Sequence, residues 1–396
     1  MQPRHTHYDM IFLGGGCAAL SLLVRLLRSG QFAQARFLVI DRDQKKSNDR
    51  TWCFWERGHG YFDEVLHRQW EQLDFFSADF SSPLNLDGYR YKMIRGVDFY
   101  SYCREVLGRS AQVEWIEASL TDVSRSGDQL MLQGNDGSNA LNQSDSSFIW
   151  NLTTPLVFNS IYKPAVTSSS QVDLLQHFKG WVIESASDCF DPQRATLMDF
   201  RVSQQAGTTF VYVMPFSKQR ALVEYTLFTE KLLTPQQYEQ GLREYVEQRL
   251  NIKQYRIVEE EFGIIPMTTR RFKFYEGGIF NLGTAGGQTK ASSGYTFQFI
   301  QKQSDRIVNH LLQQRTSKLP LLVGDSPRFH FYDRVLLQVL AKGFWPGDQV
   351  FARLFARNKA SQIFRFLDNE TRLAEELSII GSLPTFPFLK GALATL

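Results

Sequence analysis

Cysteine is scarce in this chain and scattered. Cys17, Cys53, Cys103 and Cys189 form no CxxC pair and share no ligand spacing with histidine, so neither a disulfide framework nor a metal site is indicated, and a reducing compartment fits. Charge of one sign is equally thin. A formal net charge of +3 over 396 residues, with no basic run or basic-aromatic stripe, disfavours nucleic acid as a partner. No apolar run approaches the roughly 20 residues that span a bilayer, and the start MQPRHTHYD has no signal-peptide core. The expectation is a cytoplasmic protein that touches a membrane at most from its surface. What is abundant is aromatic: 14% of residues, 32 of them Phe, within an ordinary globular composition of 43% hydrophobic and 21% charged residues. At this length two cores are expected, with interleaved segments able to build both.

The segment HYDMIFLGGGCAALSLLVRLLRSGQFAQARFLVIDRD reads as a βαβ unit: an apolar strand, a glycine turn, a helical pattern, and a second strand ending in Asp41. Gly14, Gly16 and Ala19 follow G-x-G-x-x-A. Such a turn lets the backbone approach a pyrophosphate on the positive end of the helix, and Asp41 stands where a carboxylate accepts ribose hydroxyls. The alternative is a βα turn that binds nothing.

Beyond it, SNDRTWCFWE is rich in turn formers and then tryptophan. YRYKMIRGVDFYSYCREVL predicts a strand and a helix, and residues 111 to about 160 predict short strands with a hairpin at SRSGDQ and a loop at GNDGSNALNQSDSS. A second set of strands follows (KGWVIES, ATLMDF, TTFVYVMPF, RALVEYTLF), then a helix near 235–250 and a strand near 255–262. In the C-terminal part, Phe351, Leu354, Phe355, Ile363, Phe364 and Leu367 recur at helical spacing among Arg353, Arg357, Lys359 and Arg365. That pattern suits either a basic amphipathic face for a membrane or a helix packed on the body of the protein.

RALVEYTLF carries a carboxylate inside a strand otherwise built for burial. Alternation puts Leu222, Glu224, Thr226 and Phe228 on one face and Ala221, Val223, Tyr225 and Leu227 on the other. An acid on an apolar face is poorly solvated when ionised, so burial raises its pKa and favours a proton-loaded carboxyl at pH 7. The same acid could instead point to solvent or pair with Arg220. Asp199 in LMDF is either a second polar group near such a pocket or a turn or salt-bridge residue. The glycines of GTAGGQTKASSGYTF, Gly283, Gly286, Gly287 and Gly294, suit a loop passing close to a cofactor before a helix, or a plain connection.

In their order, DMIFLGGGCAALSL, DRTWCFW, FVYVMPFSKQRALVEYTLF, IPM, GTAGGQTKASSGYTF and FLDNETRLAEELSIIGSLP resemble the flavin-dependent lycopene β-cyclases of bacterial carotenoid pathways over essentially the whole chain. The resemblance implies an α/β fold with a Rossmann-like FAD-binding lobe and an inserted antiparallel β-sheet substrate lobe, similar to geranylgeranyl reductases and aromatic hydroxylases. The expected division is 1–75, 100–165 and 265–330 for the FAD lobe, 76–99 and 166–264 for the substrate lobe, and 331–396 for a C-terminal helical region. It implies acid-initiated cyclisation of the ψ-ends of lycopene to β-rings, without net redox change, on FAD held reduced with NADPH as the expected reductant. Carotenes are the implied substrates and a membrane surface the implied peripheral partner. Glu224 takes the place of the essential acid of that family's strand motif. Tyr225 stands where many relatives carry a second acid, which favours a single acid, and Thr284 stands where hydroxylase relatives carry Asp. Cofactor contacts are implied for Gly14, Gly16, Ala19, Asp41, Arg50, Thr51, Gly283, Gly286 and Gly287, and a substrate pocket for Trp52, Trp55, Phe210, Tyr212, Tyr295 and Thr296. A redox flavoenzyme of the same fold and a non-enzymatic carotenoid carrier are the competing readings.

Overall fold

The glycine turn joins β1 (Met10–Leu13) to α1 (Cys17–Arg28), and the chain returns through β2 (Phe37–Asp41), parallel to β1. This geometry comes from a computed structural model that describes residues 2–46, 48, 50–136, 147–163, 173–314 and 327–395. All four residues of β1 and all five of β2 are buried, as strands covered on both faces must be. After them come β3 (Thr51–Arg57), β4 (Arg68–Trp70), β5 (Gln72–Phe76), β6 (Ser81–Leu84), β7 (Tyr89–Arg95) and α2 (Gly96–Gly108). A meander of β8 (Val113–Ser126), β9 (Gln129–Asp136) and β10 (Ser147–Thr153) precedes β11 (Leu156–Asn159). The hairpin expected at SRSGDQ is the turn between β8 and β9, while most of the expected loop at GNDGSNALNQSDSS lies outside the described residues.

The next segment contains β12 (Asp173–Ser185), β13 (Arg194–Asp199), β14 (Thr208–Pro215), β15 (Arg220–Thr229), α3 (Pro235–Glu244) and β16 (Tyr255–Thr268). Thr234 caps α3 by accepting from the Gln237 N–H, and Gln237 returns the bond to the Thr234 N–H, a reciprocal cap followed by Pro235 at the first helical position. Short strands β17 (Tyr275–Glu276) and β18 (Ile279–Asn281) lead to α4 (Phe297–Gln314). The last described part of the chain is helical: α5 (Pro327–Ala341), α6 (Gly347–Arg357), α7 (Ala360–Leu367), α8 (Leu373–Ser382) and α9 (Thr385–Leu393).

The described strands form three sheets. One has the order β10-β9-β8-β2-β1-β11-β18-β17, with a parallel centre from β8 to β18. Helices α1, α2 and α4 contribute to the core on one side of it, and the β8–β10 meander to the core on the other. The second sheet has the order β16-β12-β15-β14-β13-β5-β6, antiparallel apart from the β13–β5 pair. The third is the small β3-β7-β4 sheet. Strand β5 begins at Gln72 and extends the second sheet beside β13, although the sequence division assigned residues up to 75 to the other lobe. β7, inside the 76–99 segment, pairs with β3 and β4 instead of with the second sheet. Both differences come from long-range pairing that local pattern does not specify.

The second sheet packs differently on its two faces. Val211, Val213, Val223, Tyr225 and Leu227 lie with Tyr238, Leu242 and Tyr245 of the α3 segment. Phe210, Tyr212, Met214, Leu222 and Phe228 face the other way, with Phe351, Phe355, Ile363 and Phe364 from α6 and α7. The C-terminal helices therefore turn these aromatic residues inward: the packed alternative holds for that pattern. Among the described residues, no helix is long and apolar enough to cross a membrane.

Candidate active site

A cavity of about 710 Å³ runs from the glycine turn to the inner face of the second sheet, bordered by Gly14, Gly16, Asp41, Trp52, Tyr212 and Glu224 among others. At one end it meets the start of α1. Gly14 adopts φ +90° and passes so close to Ser160 that a Cβ there would lie 2.6 Å from its hydroxyl. Gly16 is the N-cap, no side chain caps the helix, and its first turn carries no acidic residue, which leaves N–H groups and the positive helix end facing the cavity. Asp41, buried at the end of β2, accepts from the Gly15 N–H at 2.5 Å and the Asp43 N–H at 2.8 Å. Its carboxylate thus fixes the turn while it borders the cavity. Ala19 is buried within α1 and does not border the cavity.

Gly283, at φ +60°, lets the turn after β18 close on α1: a Cβ there would lie 3.0 Å from Cβ of Ala18. Gly283 and Thr284 border the cavity, but Gly286 and Gly287 do not. Those two shape the turn itself, since a Cβ at Gly286 would strike the Asn281 carbonyl and Gly287 has φ +78°, and they face a separate cavity of about 380 Å³. Thr296, Phe297 and Ile300 bring the start of α4 to the main cavity as well. The residues fit a dinucleotide: two helix starts, a glycine cradle that a Cβ would fill, and an acid at the end of β2 converge on one cleft.

At the other end stands Glu224, 8% exposed. Sheet register sets it between Tyr212 of β14 and Gly180 of β12, and Gly180 in turn pairs with Glu261 of β16. Thr226, one step along the same face, donates its hydroxyl to Glu224 Oε1 at 2.9 Å. Burial pushes Glu224 well above the ordinary carboxylate value, the charge of Glu261 pushes it further, and the Thr226 bond opposes both. Glu261 is also raised by burial, but Thr51 donates to its Oε2 at 2.8 Å and Glu224 bonds to it, and both oppose the rise. Arg220 pairs with Glu259 at 2.6 Å, leaving Glu224 on the inner face rather than in a surface ion pair.

The expected pocket residues separate. Trp52 borders the cavity with its ring edge-on to Phe99 at 5.3 Å, and Tyr212, Tyr295 and Thr296 border it too, as do Arg50 and Thr51. Trp55 does not: it is buried behind Tyr295, edge-on at 4.4 Å, and stacks on Phe364 at 4.5 Å. Phe210 is fully buried between Phe200, Tyr212 and Phe228 and also lies off the cavity. Asp199 is in the salt-bridge role, held by Arg201 at 2.7 Å and by the Tyr245 hydroxyl at 2.8 Å. Sequence reasoning put Thr226 on the Glu224 face without giving it a role, and missed Glu261, Gly180, Cys53, Met214 and Tyr91. For Glu261 the available signal was alternation, which sets Glu259, Glu261 and Gly263 on one side of β16 and Glu260 on the other.

A glycine-turned α/β lobe joined to an antiparallel sheet across one cleft defines the fold of flavoprotein oxygenases and reductases. Solved structures agree. A flavoprotein/dehydrogenase from Cytophaga hutchinsonii superposes with TM-score 0.64 at 12% identity, covering 98% of each chain. A geranylgeranyl bacteriochlorophyll reductase-like protein from Thermoplasma acidophilum gives 0.61 at 10%, covering 98% of this chain and 99% of that one. The family is narrower: the chain belongs to the lycopene cyclase protein family, whose sequence model matches residues 9–393. It is similar to the lycopene beta-cyclase of Pseudescherichia vulneris, 24% identical over 271 residues, and to that of Pantoea ananas, 25% over 276 residues. These alignments cover 66% and 68% of this chain and span 62% and 64% of the two relatives.

Proposed function

We propose that the protein is a lycopene β-cyclase that converts the ψ-ends of lycopene to β-rings, giving β-carotene through γ-carotene, with FAD held reduced and no net redox change. The observation that carries this reading is Glu224: a buried carboxyl biased towards its neutral form, on an apolar wall continuous with a dinucleotide cradle. Protonating an alkene needs a donor that still carries its proton near neutral pH, and burial keeps the Glu224 carboxyl in that form. Glu224 gives its proton to the terminal double bond, the ring closes on the resulting cation, and a ring proton returns to the carboxylate. Trp52, Tyr212 and Tyr295 present aromatic faces to that cation, worth about 0.5 to 2 kcal/mol each. Bound in the cleft, reduced FAD supplies negative charge that stabilises the same cation. The cradle for it is formed by Gly14, Gly16, Gly283 and the starts of α1 and α4. Exclusion of water prevents capture of the cation as an alcohol.

A C40 hydrocarbon has no hydrogen-bonding handle, so apolar contact at about 25 cal/mol per Å² must bind it. A membrane contact fits α8 and α9 better than the α6–α7 pattern: Leu373, Leu377, Phe386, Leu389 and Leu393 are exposed there, with Lys390 beside the Phe386 ring.

The test is an anaerobic assay in deuterated water with chemically reduced FAD and lycopene, which needs no NADPH. The expected result is cyclic product carrying solvent deuterium without stoichiometric flavin oxidation, abolished by Glu224→Gln. Oxidation of the flavin in proportion to product would replace this reading with a redox flavoenzyme, and ligand retention without any isomerised product would replace it with a carrier.

A further inference from the structure

Glu224 is not alone. Gly180 lies between it and Glu261 in the sheet, and because Gly180 has no side chain, the Glu261 carboxyl lies over it and reaches Glu224. A Cβ at Gly180 would lie 2.8 Å from Glu261 Cγ and 3.1 Å from Glu261 Oε1. Glu261 Oε2 takes the Thr51 hydroxyl, whereas the buried Oε1 has, among the described residues, no donor other than a protonated Glu224. A buried acceptor left unpaired is costly, about 1–3 kcal/mol, so one proton on Glu224 satisfies both groups. Behind Glu261 lies a second pocket of about 240 Å³, bordered by Thr51, His67, Arg95, Arg220, Glu259 and Glu261. It shares Thr51 and Leu222 with the main cavity, so the carboxyl pair stands between the two spaces.

We propose that Glu261 is the positioning residue of the proton donor: it holds the pair's single negative charge, accepts the hydrogen bond of neutral Glu224, and connects that proton with the outer pocket. This rests on the cyclase reading of Glu224. In the reaction Glu224 loses its proton to carbon and regains one from the closing ring, with Glu261 charged throughout and no electrons transferred. Between turnovers the proton exchanges with solvent through Glu261.

The surroundings favour this division. Neighbouring cations are already engaged: Arg220 with Glu259, Arg95 with Asp98, and Lys179, next to Gly180 on β12, with Glu239 and Glu260 on the opposite face. The neutral groups that face the pair are Cys53 of β3, Tyr212 of β14 and Tyr295 before α4, all with pKa values raised by burial, while Glu259, two residues before Glu261 on the same side of β16, adds a like charge that raises Glu261 and is itself paired with Arg220. His67 in the outer pocket is held neutral by burial and by Arg95.

The test compares pH–rate profiles of the flavin-loaded enzyme with lycopene for native protein, Glu224→Gln, Glu261→Gln and Glu261→Asp. Removing the like charge should let Glu224 ionise earlier. Glu261→Gln is expected to turn over more slowly than native and to have its alkaline limb moved down by about one pH unit or more, with flavin binding unchanged. Glu261→Asp, which keeps the charge, should hold the native limb. An alkaline limb unmoved in Glu261→Gln overturns the proposal. If that variant does not fold, Glu261→Ala is read in the same way. Activity surviving in Glu224→Gln would instead sink the cyclase reading itself, while an inactive Glu224→Gln with an unmoved Glu261→Gln limb rejects only the pair.

Discussion

Replacing Gly180 by alanine probes the row of residues on which the proton donor depends. The added methyl would stand 2.8 Å from Glu261 Cγ, 3.0 Å from Leu222 Cδ1 and 3.1 Å from Glu261 Oε1, inside the roughly 3.5–4.0 Å at which carbon atoms pack. The strand itself is held on both sides, by β15 and by β16, so relief must come from Glu261 and Leu222. Forcing a methyl into such a place costs about 1–3 kcal/mol. The lost freedom of the unfolded chain returns about 0.4–1 kcal/mol, leaving a net destabilisation on the order of 1 kcal/mol. The chemical effect is sharper. Glu261 is pushed away from Glu224, their repulsion falls, and Glu224 ionises at lower pH, so the alkaline limb of turnover shifts down while flavin affinity is kept. Thermal melting and pH–rate profiles of the flavin-loaded enzyme measure both. A Gly180→Ala variant more stable than native, with an unshifted limb, would show that the two carboxyls do not meet across this glycine.

Gly283→Val combines a left-handed backbone, which costs a branched residue about 1–3 kcal/mol, with a collision against Ala18; equilibrium dialysis should show weaker FAD retention, and unchanged retention would remove this turn from the cradle. Lys92 is fully buried with Glu56 at 2.8 Å and Asp63 at 2.7 Å, so Lys92→Met should destabilise by about 3–5 kcal/mol in a melt. Burial alone would raise Asp63, but the bond and charge of Lys92 outweigh it and hold Asp63 below its ordinary value of 3.8. Its stabilisation is therefore present above that value and is lost as pH falls through the lower folded one, and Lys92→Met should melt with less acid sensitivity than native. Leu377→Glu with Phe386→Glu, two side chains 68% and 67% exposed, removes about 1.5 kcal/mol or more of transfer free energy at each site. Sedimentation with anionic vesicles should then fall roughly 100-fold; undiminished sedimentation would move the contact elsewhere.

How far the sequence reached follows the range of the interactions involved. The βαβ unit and the turn at Gly14 were legible because strand, glycine and helix start are neighbours in the chain and each local preference agrees. Glu224 was legible through alternation, which sets one acid among apolar residues on one side of β15. Glu261 was hidden in the run Glu259-Glu260-Glu261, which looks like a solvated edge; its partner is chosen by sheet register across Gly180, a relation between distant parts of the chain that needs two strand pairings. Trp55 and Phe210 were expected at the cavity as aromatic residues within the stretches that carry the resemblance. The arrival of Phe364 from a distant helix against Trp55, and of Phe200 and Phe228 against Phe210, turns them into interior packing. The inward-facing aromatic stripe of α6 and α7 shows the same limit, since helical spacing marks an apolar side without naming what covers it.

The two unlike faces of the second sheet divide labour along each strand. Even-numbered positions such as Tyr212, Met214 and Leu222 border the main cavity, whereas odd-numbered ones such as Val211, Val213 and Val223 sit against α3. Selection, or an engineer, can therefore reshape the cavity by altering every second residue, with the intervening ones continuing to anchor the scaffold.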